Sequence, residues 1–335
     1  MNRKVLVTGG AGYVGVELVS SLLDSGFDVV VYDLFWFLSE QYFNKFGDSL
    51  KVIKGDIRDT VKLRSAMDGC SDLIHLACIS NDPSCDLNPE LAKSINYDCF
   101  EQIVRDAKAS SISRFIFASS SSVYGLREEP NVTEDLELRP LTDYSKYKML
   151  CEEILKEYSD ESFTTVSLRP ATVCGYSDRM RLDVVVNILT NFAVNRGLIK
   201  VFGGEQLRPN IHIKDMVRCY LALLMAPREQ INGKSYNVGA DNYKVIDIAK
   251  IISKATNVKN IEVTPTDDNR SYHISSLKIK NELGFQVELG VEDAVTELVQ
   301  HFKDGKIPNS FEDIKYFNVK YLQENKIDEN SSRFR

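Results

Sequence analysis

A tyrosine and a lysine four residues apart are the residues of this sequence best suited to acid–base chemistry. They are Tyr144 and Lys148, and a helix would bring both side chains onto one face. A phenol with a pKa near 10 is a poor base at neutral pH. An ammonium about 6 Å away, at an effective dielectric constant of about 20, would stabilise the phenolate by roughly 3 kcal/mol and lower the pKa by about two units. Such a pair could take a proton from a substrate hydroxyl.

The same spacing recurs near the end of the chain, so spacing alone does not identify a site. The sequence has 15 tyrosines, and Tyr316 and Lys320 repeat the pattern. Two neighbouring features favour the first pair: four serines at 119–122 lie just upstream, and a glycine-rich loop opens the chain. We interpret Tyr316 and Lys320 as surface residues of a polar segment beyond the core.

The glycine-rich loop, Gly9-Gly-Ala-Gly-Tyr-Val-Gly15, lies between a strand-like run and an amphipathic stretch. Glycines let the backbone approach a diphosphate, whose charge a helix N-terminus then meets. Asp33 ends the second strand-like run, where a carboxylate accepts hydrogen bonds from ribose hydroxyls and repels a 2′-phosphate. Together these features predict NAD, rather than NADP, as the cofactor.

Strand-like apolar runs alternate with amphipathic stretches through the first half of the chain. The predicted strands are residues 4–8, 28–33, 51–54, 73–75, 114–118 and 164–168. Predicted helices between them include residues 14–23, 90–109 and 144–158. This alternation predicts an α/β fold built on a doubly wound parallel sheet, of the Rossmann type, with helical crossovers.

The pattern loosens after residue 170. Helices are predicted near residues 182–195, 215–225, 245–255 and 291–302, with a short strand near 199–202. We interpret residues 1–170 as an NAD-binding domain and residues 171–323 mainly as a smaller, mixed α/β lobe that binds the substrate. The boundary is soft and interleaved, since no linker rich in Gly, Ser or Pro separates the halves. The polar residues 324–335 are predicted to form a mobile tail.

Composition and charge narrow the function classes. The 335 residues are 43% hydrophobic and 27% charged, as in an ordinary globular protein. The net charge of −7, without blocks of like charge, argues against a nucleic-acid or membrane partner. Neither a membrane-span run nor a signal-peptide core is apparent. Seven cysteines without Cys-x-x-Cys spacing are typical of a reducing cytoplasm, where we expect the protein, and no metal site is predicted.

Several motifs, in order along the chain, resemble those of the extended short-chain dehydrogenase/reductases, and within them the NAD-dependent nucleotide-sugar epimerase/dehydratase family. They are the glycine loop, Gly55-Asp-Ile-Arg-Asp59, His75-Leu-Ala77, Ser119-Ser-Ser-Ser-Val-Tyr-Gly125, the Tyr144/Lys148 pair and Leu168-Arg-Pro-Ala-Thr172. The similarity covers roughly residues 3–305. It implies a nucleotide-sugar substrate and, because family members commonly pair through two helices, a homodimer.

The resemblance assigns catalytic roles to Ser120, Tyr144 and Lys148, with Ser120 bonding the reacting oxygen and Lys148 also reaching the nicotinamide ribose. It implies substrate contacts for Ser120, Ser121, Arg179, Arg181, Arg208 and Arg270. Arg208 and Arg270 match arginines that hold the nucleotide diphosphate.

The implied cofactor contacts are spread over the first 170 residues. They are Gly9, Gly12, Tyr13, Val14, Gly15, Asp33, Asp56, Ile57, Leu76, Ala77, Cys78, Asn96, Tyr144, Lys148 and Pro170. Within this set Asp56 and Ile57 would contact the adenine, and Asn96 would stand behind the nicotinamide ribose.

Two departures from the family pattern narrow the expected reaction. The family's sugar 4,6-dehydratases carry an acidic pair just after the catalytic hydroxyl residue, and related decarboxylases keep a glutamate there. This chain has Ser121 and Ser122, which disfavours both reactions. The segment 178–187, Asp-Arg-Met-Arg-Leu-Asp-Val-Val-Val-Asn, differs from ordinary galactose 4-epimerases. It is similar to a subgroup of bacterial surface-polysaccharide enzymes that includes a nucleotide-heptose 4-dehydrogenase.

We therefore expect an NAD-dependent enzyme that oxidises a nucleotide-linked sugar at C4. The first interpretation is a 4-epimerase, in which the keto sugar takes the hydride back on its other face. The alternative is a 4-dehydrogenase or 4-ketoreductase, which releases its product after one hydride transfer. A non-catalytic NAD-binding regulator is a more distant alternative, because such proteins tend to lose the Tyr/Lys pair.

Overall fold

A parallel β-sheet forms the centre of the structure. The computed structural model describes residues 3–129, 131–266, 271 and 273–327. Its strands are β1 (Lys4–Thr8), β2 (Asp28–Asp33), β3 (Leu50–Lys54), β4 (Asp72–His75), β5 (Arg114–Ala118), β6 (Thr164–Pro170), β7 (Thr172–Cys174), β8 (Ile199–Phe202), β9 (Leu207–His212), β10 (Lys234–Val238), β11 (Asp241–Lys244) and β12 (Ile261–Thr264). Its α-helices are α1 (Tyr13–Asp24), α2 (Thr60–Met67), α3 (Asp82–Leu87), α4 (Pro89–Lys93), α5 (Phe100–Ala109), α6 (Asp143–Glu157), α7 (Val185–Arg196), α8 (Ile213–Met225), α9 (Arg228–Ile231), α10 (Val245–Thr256), α11 (Leu277–Leu283), α12 (Val291–Lys303) and α13 (Asn318–Glu324).

The central sheet has seven parallel strands in the order β10-β6-β5-β4-β1-β2-β3. The chain first builds β1, β2 and β3 in one direction, and then returns to add β4, β5 and β6 on the other side of β1. The direction reverses between β1 and β4, and sheets of this kind bind ligands at the carboxyl ends of the strands beside that reversal. The predicted doubly wound α/β fold is confirmed.

Both faces of this sheet are covered. Successive side chains of a strand point to opposite faces, and β1 divides accordingly. Val5 and Val7 pack into an apolar cluster with α1 and α8, whereas Leu6 packs into a second cluster with α2, α5 and α6. Burial on both faces explains why the strands read as continuous apolar runs in the sequence.

The second half of the chain builds two small sheets and one strand of the central sheet. The small sheets are β11-β9-β7 and β12-β8, and α7, α10 and α12 enclose an apolar cluster beside them. β10 returns to the central sheet and pairs with β6 in parallel. The division into residues 1–170 and 171–323 stays a prediction. Along the described residues, no helix is long and apolar enough to cross a bilayer.

Two parts of the chain differ from the predicted elements. The predicted helix 90–109 is interrupted by a π-helical turn at Ser94–Asp98, between α4 and α5. The interpretation of Tyr316 and Lys320 as residues of a polar surface segment is wrong for Tyr316, which is 4% exposed. Tyr316 ends a 3₁₀ helix, Ile314–Tyr316, while Lys320 lies on α13, so the two share no helix face. Residues 328–335 of the predicted mobile tail lie outside the described residues.

Glu297 on α12 ties that helix to the start of α8. Its Oε2 lies 3.2 Å from Nε2 of His212, and its Oε1 accepts from Nζ of Lys214. Burial raises the pKa of the Glu297 carboxyl, but the hydrogen bonds from His212 and Lys214 outweigh burial and lower that pKa to about 2.

This lowered pKa predicts a stability change in acid. The ordinary glutamate pKa is 4.5, so the stabilisation is fully present above that pH and is lost as the pH falls towards 2. Glu297→Gln should reduce the free energy of unfolding at pH 7 and flatten its pH dependence between those limits. Urea unfolding at a series of pH values measures this, and a variant profile parallel to the native one would contradict the ion pairing.

Candidate active site

A cavity of about 660 Å³ opens at the carboxyl edge of the central sheet. It is lined by the loops that follow β1, β2, β4, β5 and β6, by residues around 179–185, and by part of α13. Nearly all the predicted site residues line this one cavity. Lys148 and Asn96 lie behind its wall, and Arg270 lies outside the described residues.

The glycine loop packs so closely against its neighbours that two of its glycines have no room for a side chain. Gly9 has φ +76°, and a Cβ there would lie 2.6 Å from the backbone nitrogen of Ala77. A Cβ on Gly15 would overlap the carbonyl oxygen of Gly9. α1 begins at Tyr13, and the N–H groups of its first turn have no intrahelical acceptor. This cradle fits the diphosphate of a dinucleotide.

Asp33 is held beside the glycine loop. Its Oδ2 accepts from the backbone N–H of Ala11 at 3.0 Å, and its Oδ1 accepts from that of Phe35 at 2.8 Å. Burial raises the pKa of Asp33, and these two hydrogen bonds oppose that rise. A carboxylate has about four lone-pair sites, so two fixed donors leave capacity for ribose hydroxyls.

Asp56 and Asn96 shape the cavity through the backbone around them. The Asp56 carboxylate forms an ion pair with Arg58 at 2.6 Å, and Tyr32 donates to the Asp56 carbonyl oxygen at 2.8 Å. The Asn96 amide accepts from the N–H of Ile79 at 2.8 Å and donates to its carbonyl at 3.0 Å. Asn96 therefore fixes the loop after β4, which carries Leu76, Ala77 and Cys78 into the cavity.

Tyr144 and Lys148 lie one turn apart on α6. The helix begins under a capping box, in which Thr142 Oγ1 accepts from the N–H of Ser145 and Ser145 Oγ accepts from that of Thr142. Nζ of Lys148 stands 5.7 Å from the Tyr144 ring centroid. The same Nζ donates to the carbonyl oxygen of Ala118, at the end of β5, at 2.6 Å.

The predicted net lowering of the Tyr144 pKa is not found in the structure. Burial raises the Tyr144 pKa well above its ordinary value, and Cys78, Cys85 and Asp82 add to the rise. The positive charge of Arg181 acts in the opposite direction and lowers the Tyr144 pKa. Desolvation of the phenol therefore outweighs the attraction of nearby cations.

The serine cluster divides its hydroxyls between the cavity and the interior. Ser120 caps a short 3₁₀ helix, Ser121–Tyr124, and its Oγ accepts from the N–H of Ser122 at 3.1 Å. Ser120 and Ser121 both line the cavity. Ser119 Oγ instead donates to the buried carboxylate of Glu152. The turn therefore presents the Ser120 hydroxyl at the end of β5, close to where Lys148 holds α6.

Behind the cavity, a buried ion pair joins α6 to the sheet. Glu152 and Arg169 are each 6% exposed, and their charged groups meet at 2.6 Å. Nη1 of Arg169 also donates to Tyr124 Oη at 2.8 Å, which in turn donates to Asn237 on β10 at 2.8 Å. The sequence analysis missed Glu152. Its position one turn after Lys148, on the same helix face, was the available signal.

Removing one partner of this pair should be costly. Glu152→Met leaves the Arg169 guanidinium buried without its carboxylate, and we expect a loss of about 3–5 kcal/mol in the free energy of unfolding. The double variant with Arg169→Met should recover much of the loss, since both charges are gone. As a control, Asp247→Asn breaks the exposed pair with Lys250 and should cost less than about 1 kcal/mol. Denaturant unfolding measures all three, and a small loss in the single variant would contradict the assigned role.

The C-terminal segment supplies cavity residues that the motifs did not predict. The Asn318 N–H donates to Asp183 Oδ2 at 2.9 Å, and its side-chain amide donates to Ser80 Oγ at 3.0 Å. Asp183 also pairs with Arg181 at 2.8 Å. Asn318 thus joins α13 to the loop after β4 and to the segment before α7. Of the other predicted substrate arginines, Arg208 lines the cavity from β9.

Comparison with known proteins identifies the family. Residues 5–239 match the model of the NAD dependent epimerase/dehydratase family, which is well over half of the chain. The chain belongs to this family. It is accordingly an NAD-dependent enzyme of the nucleotide-sugar epimerase/dehydratase class, an extended short-chain dehydrogenase/reductase.

The relatives and solved structures span more than one activity. The protein y4nG of Sinorhizobium fredii is 31% identical over 276 residues, which are 79% of this chain but only 64% of that protein. UDP-glucose 4-epimerase of Erwinia amylovora is 26% identical over 322 residues, covering 88% of this chain and 96% of that enzyme. DesIV of Streptomyces venezuelae, a dTDP-glucose 4,6-dehydratase with NAD and TYD bound, has a TM-score of 0.81 at 19% identity and shares the fold over 90% of this chain and 98% of its own. A homodimer and a cytoplasmic location stay predictions.

Proposed function

We propose that this enzyme is a nucleotide-sugar 4-epimerase that works through a 4-keto intermediate. The observation that carries the proposal is one cavity lined by Tyr144, Ser120 and the glycine loop, with Lys148 anchoring α6 to the end of β5. When bound, NAD supplies the acceptor for the hydride and a positively charged ring. The relation to UDP-glucose 4-epimerases supports a nucleotide-linked sugar as the substrate class.

Tyr144 is the group suited to move the proton at C4. As the C4–H bond breaks and its electron pair leaves with the hydrogen as hydride, the phenolate form of Tyr144 takes the proton of the C4 hydroxyl, and the alcohol becomes a ketone. Ser120 donates a hydrogen bond to that oxygen. In the return step the neutral phenol gives the proton back, for which its raised pKa is no obstacle. Deprotonation depends on local positive charge, which Arg181 and Lys148 supply from the protein side.

Dehydration is a poor fit to the same cavity. Ser121 and Ser122 stand where the family's 4,6-dehydratases carry an acidic pair, and both line the cavity. Hydroxyls with their high pKa cannot replace carboxyl groups in moving the proton and hydroxide at C5 and C6. Hydride exchange at a single carbinol needs only the tyrosine and the serine.

A 4-dehydrogenase is the second candidate, and the segment 178–187 favours it. This segment departs from ordinary 4-epimerases, and Arg179, Arg181 and Asp183 from it line the cavity. The departure therefore lies at the site itself and not on a remote surface. Net oxidation would require the reduced cofactor to exchange or to meet a second, oxidising substrate.

Replacing the phenol tests the proton-transfer role. Tyr144→Phe should lower kcat by at least about 100-fold on a confirmed substrate, because general acid–base catalysis typically contributes that much or more. NAD affinity, measured by calorimetry, should change little. Tyr316→Phe is the matched control, since it removes a phenol hydroxyl from the other Tyr-x-x-x-Lys match and should leave kcat near the native value. Native turnover in Tyr144→Phe would refute the role.

A panel of UDP-, GDP- and dTDP-sugars separates the two reactions. The enzyme is incubated with stoichiometric NAD, and the NADH absorbance band and the product NMR spectrum are followed together. A 4-epimer without net NADH is the expected result. A keto sugar formed one-for-one with NADH would overturn the epimerase in favour of the dehydrogenase.

A further inference from the structure

Arg179 is a buried cation that has no carboxylate partner among the described residues. It is 4% exposed, and its Nη2 donates to Asn318 Oδ1 at 2.6 Å. Its Nε and Nη1 are buried and, within the part of the chain described, bind no acceptor. Buried charges and buried donors are costly unless they are matched. Since Arg179 also lines the cavity, the missing acceptors are expected from a ligand.

The two carboxylates whose charges act on Arg179, those of Asp183 and Asp33, already have other hydrogen-bond partners. Asp183 pairs with Arg181 and accepts from Asn318, while Asp33 accepts two backbone N–H groups. Burial, and then the like charge of Arg181, lowers the pKa of Arg179 to about 9. Arg179 therefore has no carboxylate of its own among the described residues, although its charge is buried.

The position of Arg179 indicates which ligand group it faces. Ser177 Oγ donates to the carbonyl oxygen of Tyr13 at 2.9 Å, and Tyr13 Oη donates to that of Gly175 at 2.6 Å. These bonds hold the segment before Arg179 against the first turn of α1. On its other side, the guanidinium carbon stands 4.1 Å from the ring centroid of Phe37, in the loop that follows Asp33. Arg179 thus lies between the N-terminus of α1 and the ribose-binding loop.

We propose that Arg179 donates from Nε and Nη1 to the diphosphate of bound NAD, opposite the N–H groups of α1, and that Asn318 holds the guanidinium in this orientation. A guanidinium carries a permanent charge and five N–H donors, and hydrogen bonds from such a charged group to phosphate oxygens are strong. The N–H groups and the partial positive charge of the helix terminus act on the same anion. Arg179 then binds the cofactor, in contrast to the substrate contact that the family resemblance implies.

A sugar or ribose is the poorer match for this side chain. A guanidinium only donates, and the ribose hydroxyls already have Asp33 as an acceptor. The family resemblance implies that Arg208 and Arg270, which belong to other parts of the chain, hold the nucleotide diphosphate of the substrate. The proposal needs only NAD binding, so it does not depend on whether the enzyme is an epimerase or a dehydrogenase.

Ligand fragments test the proposal without any activity assay. Calorimetry on the full-length, nucleotide-free protein compares ADP-ribose, adenosine and UDP. Arg179→Met keeps an apolar side chain against Phe37 but removes the donors. It should weaken ADP-ribose binding by about 10- to 100-fold, because hydrogen bonds to charged groups are the strong ones. Adenosine and UDP affinities should change less than about threefold.

Two further variants separate charge from geometry. Arg179→Lys keeps the charge without the planar guanidinium donors, and its ADP-ribose affinity should fall between those of the native protein and Arg179→Met. Asn318→Ala frees the guanidinium and should weaken ADP-ribose binding by a smaller factor in the same direction. Thermal unfolding of each nucleotide-free variant checks its folding. If Arg179→Met does not fold, Arg179→Lys and Asn318→Ala still test the proposal.

Three outcomes would overturn the proposal. Weaker UDP binding with native ADP-ribose binding would assign Arg179 to the substrate. An equal loss for adenosine and ADP-ribose would assign it to packing against Phe37. Native affinity for every fragment would leave Arg179 no role at the diphosphate. None of these results bears on turnover at C4, which the Tyr144 variant tests separately.

Discussion

The attachment of α6 to the carboxyl end of the central sheet is the interaction on which the site depends. Lys148 binds the last carbonyl of β5, and Glu152, one turn later, binds Ser119 and Arg169. These contacts fix where the start of the helix, with Tyr144, stands relative to the serine turn. Lys148 is therefore a structural anchor for the start of α6, which carries Tyr144, as well as a charge close to its ring.

The sequence predicted well those features that are local in the chain. Strand periodicity, the glycine loop and Asp33 follow from backbone sterics and short-range patterns, and the sheet built from them agrees with the prediction. The residues gathered around the cavity were also largely foreseeable, because parallel strands bring their carboxyl ends to one edge. Glu152 was not predicted, because a glutamate is expected at the surface unless a buried partner, here Arg169 on β6, is known.

The features that the sequence did not predict depend on tertiary contacts. The rise in the Tyr144 pKa comes from desolvation by the surrounding fold, which spacing cannot measure. Asn318 lies beyond the last family motif, and its partners at Ser80, Arg179 and Asp183 are more than 130 residues away in the chain. No local pattern marks such a residue. Its segment looks polar in sequence because only one face of α13 is buried.

The place of β10 in the central sheet has a consequence for how the protein folds. Before residues 234–238 pair with β6, that strand is an open edge with unpaired backbone groups, which are a template for intermolecular pairing. The chain must therefore carry more than sixty intervening residues before its main sheet can close on that side. Closure over so long a separation is slow. The first half holds the glycine loop and Tyr144, but one edge of its sheet stays unpaired until β10 pairs with β6.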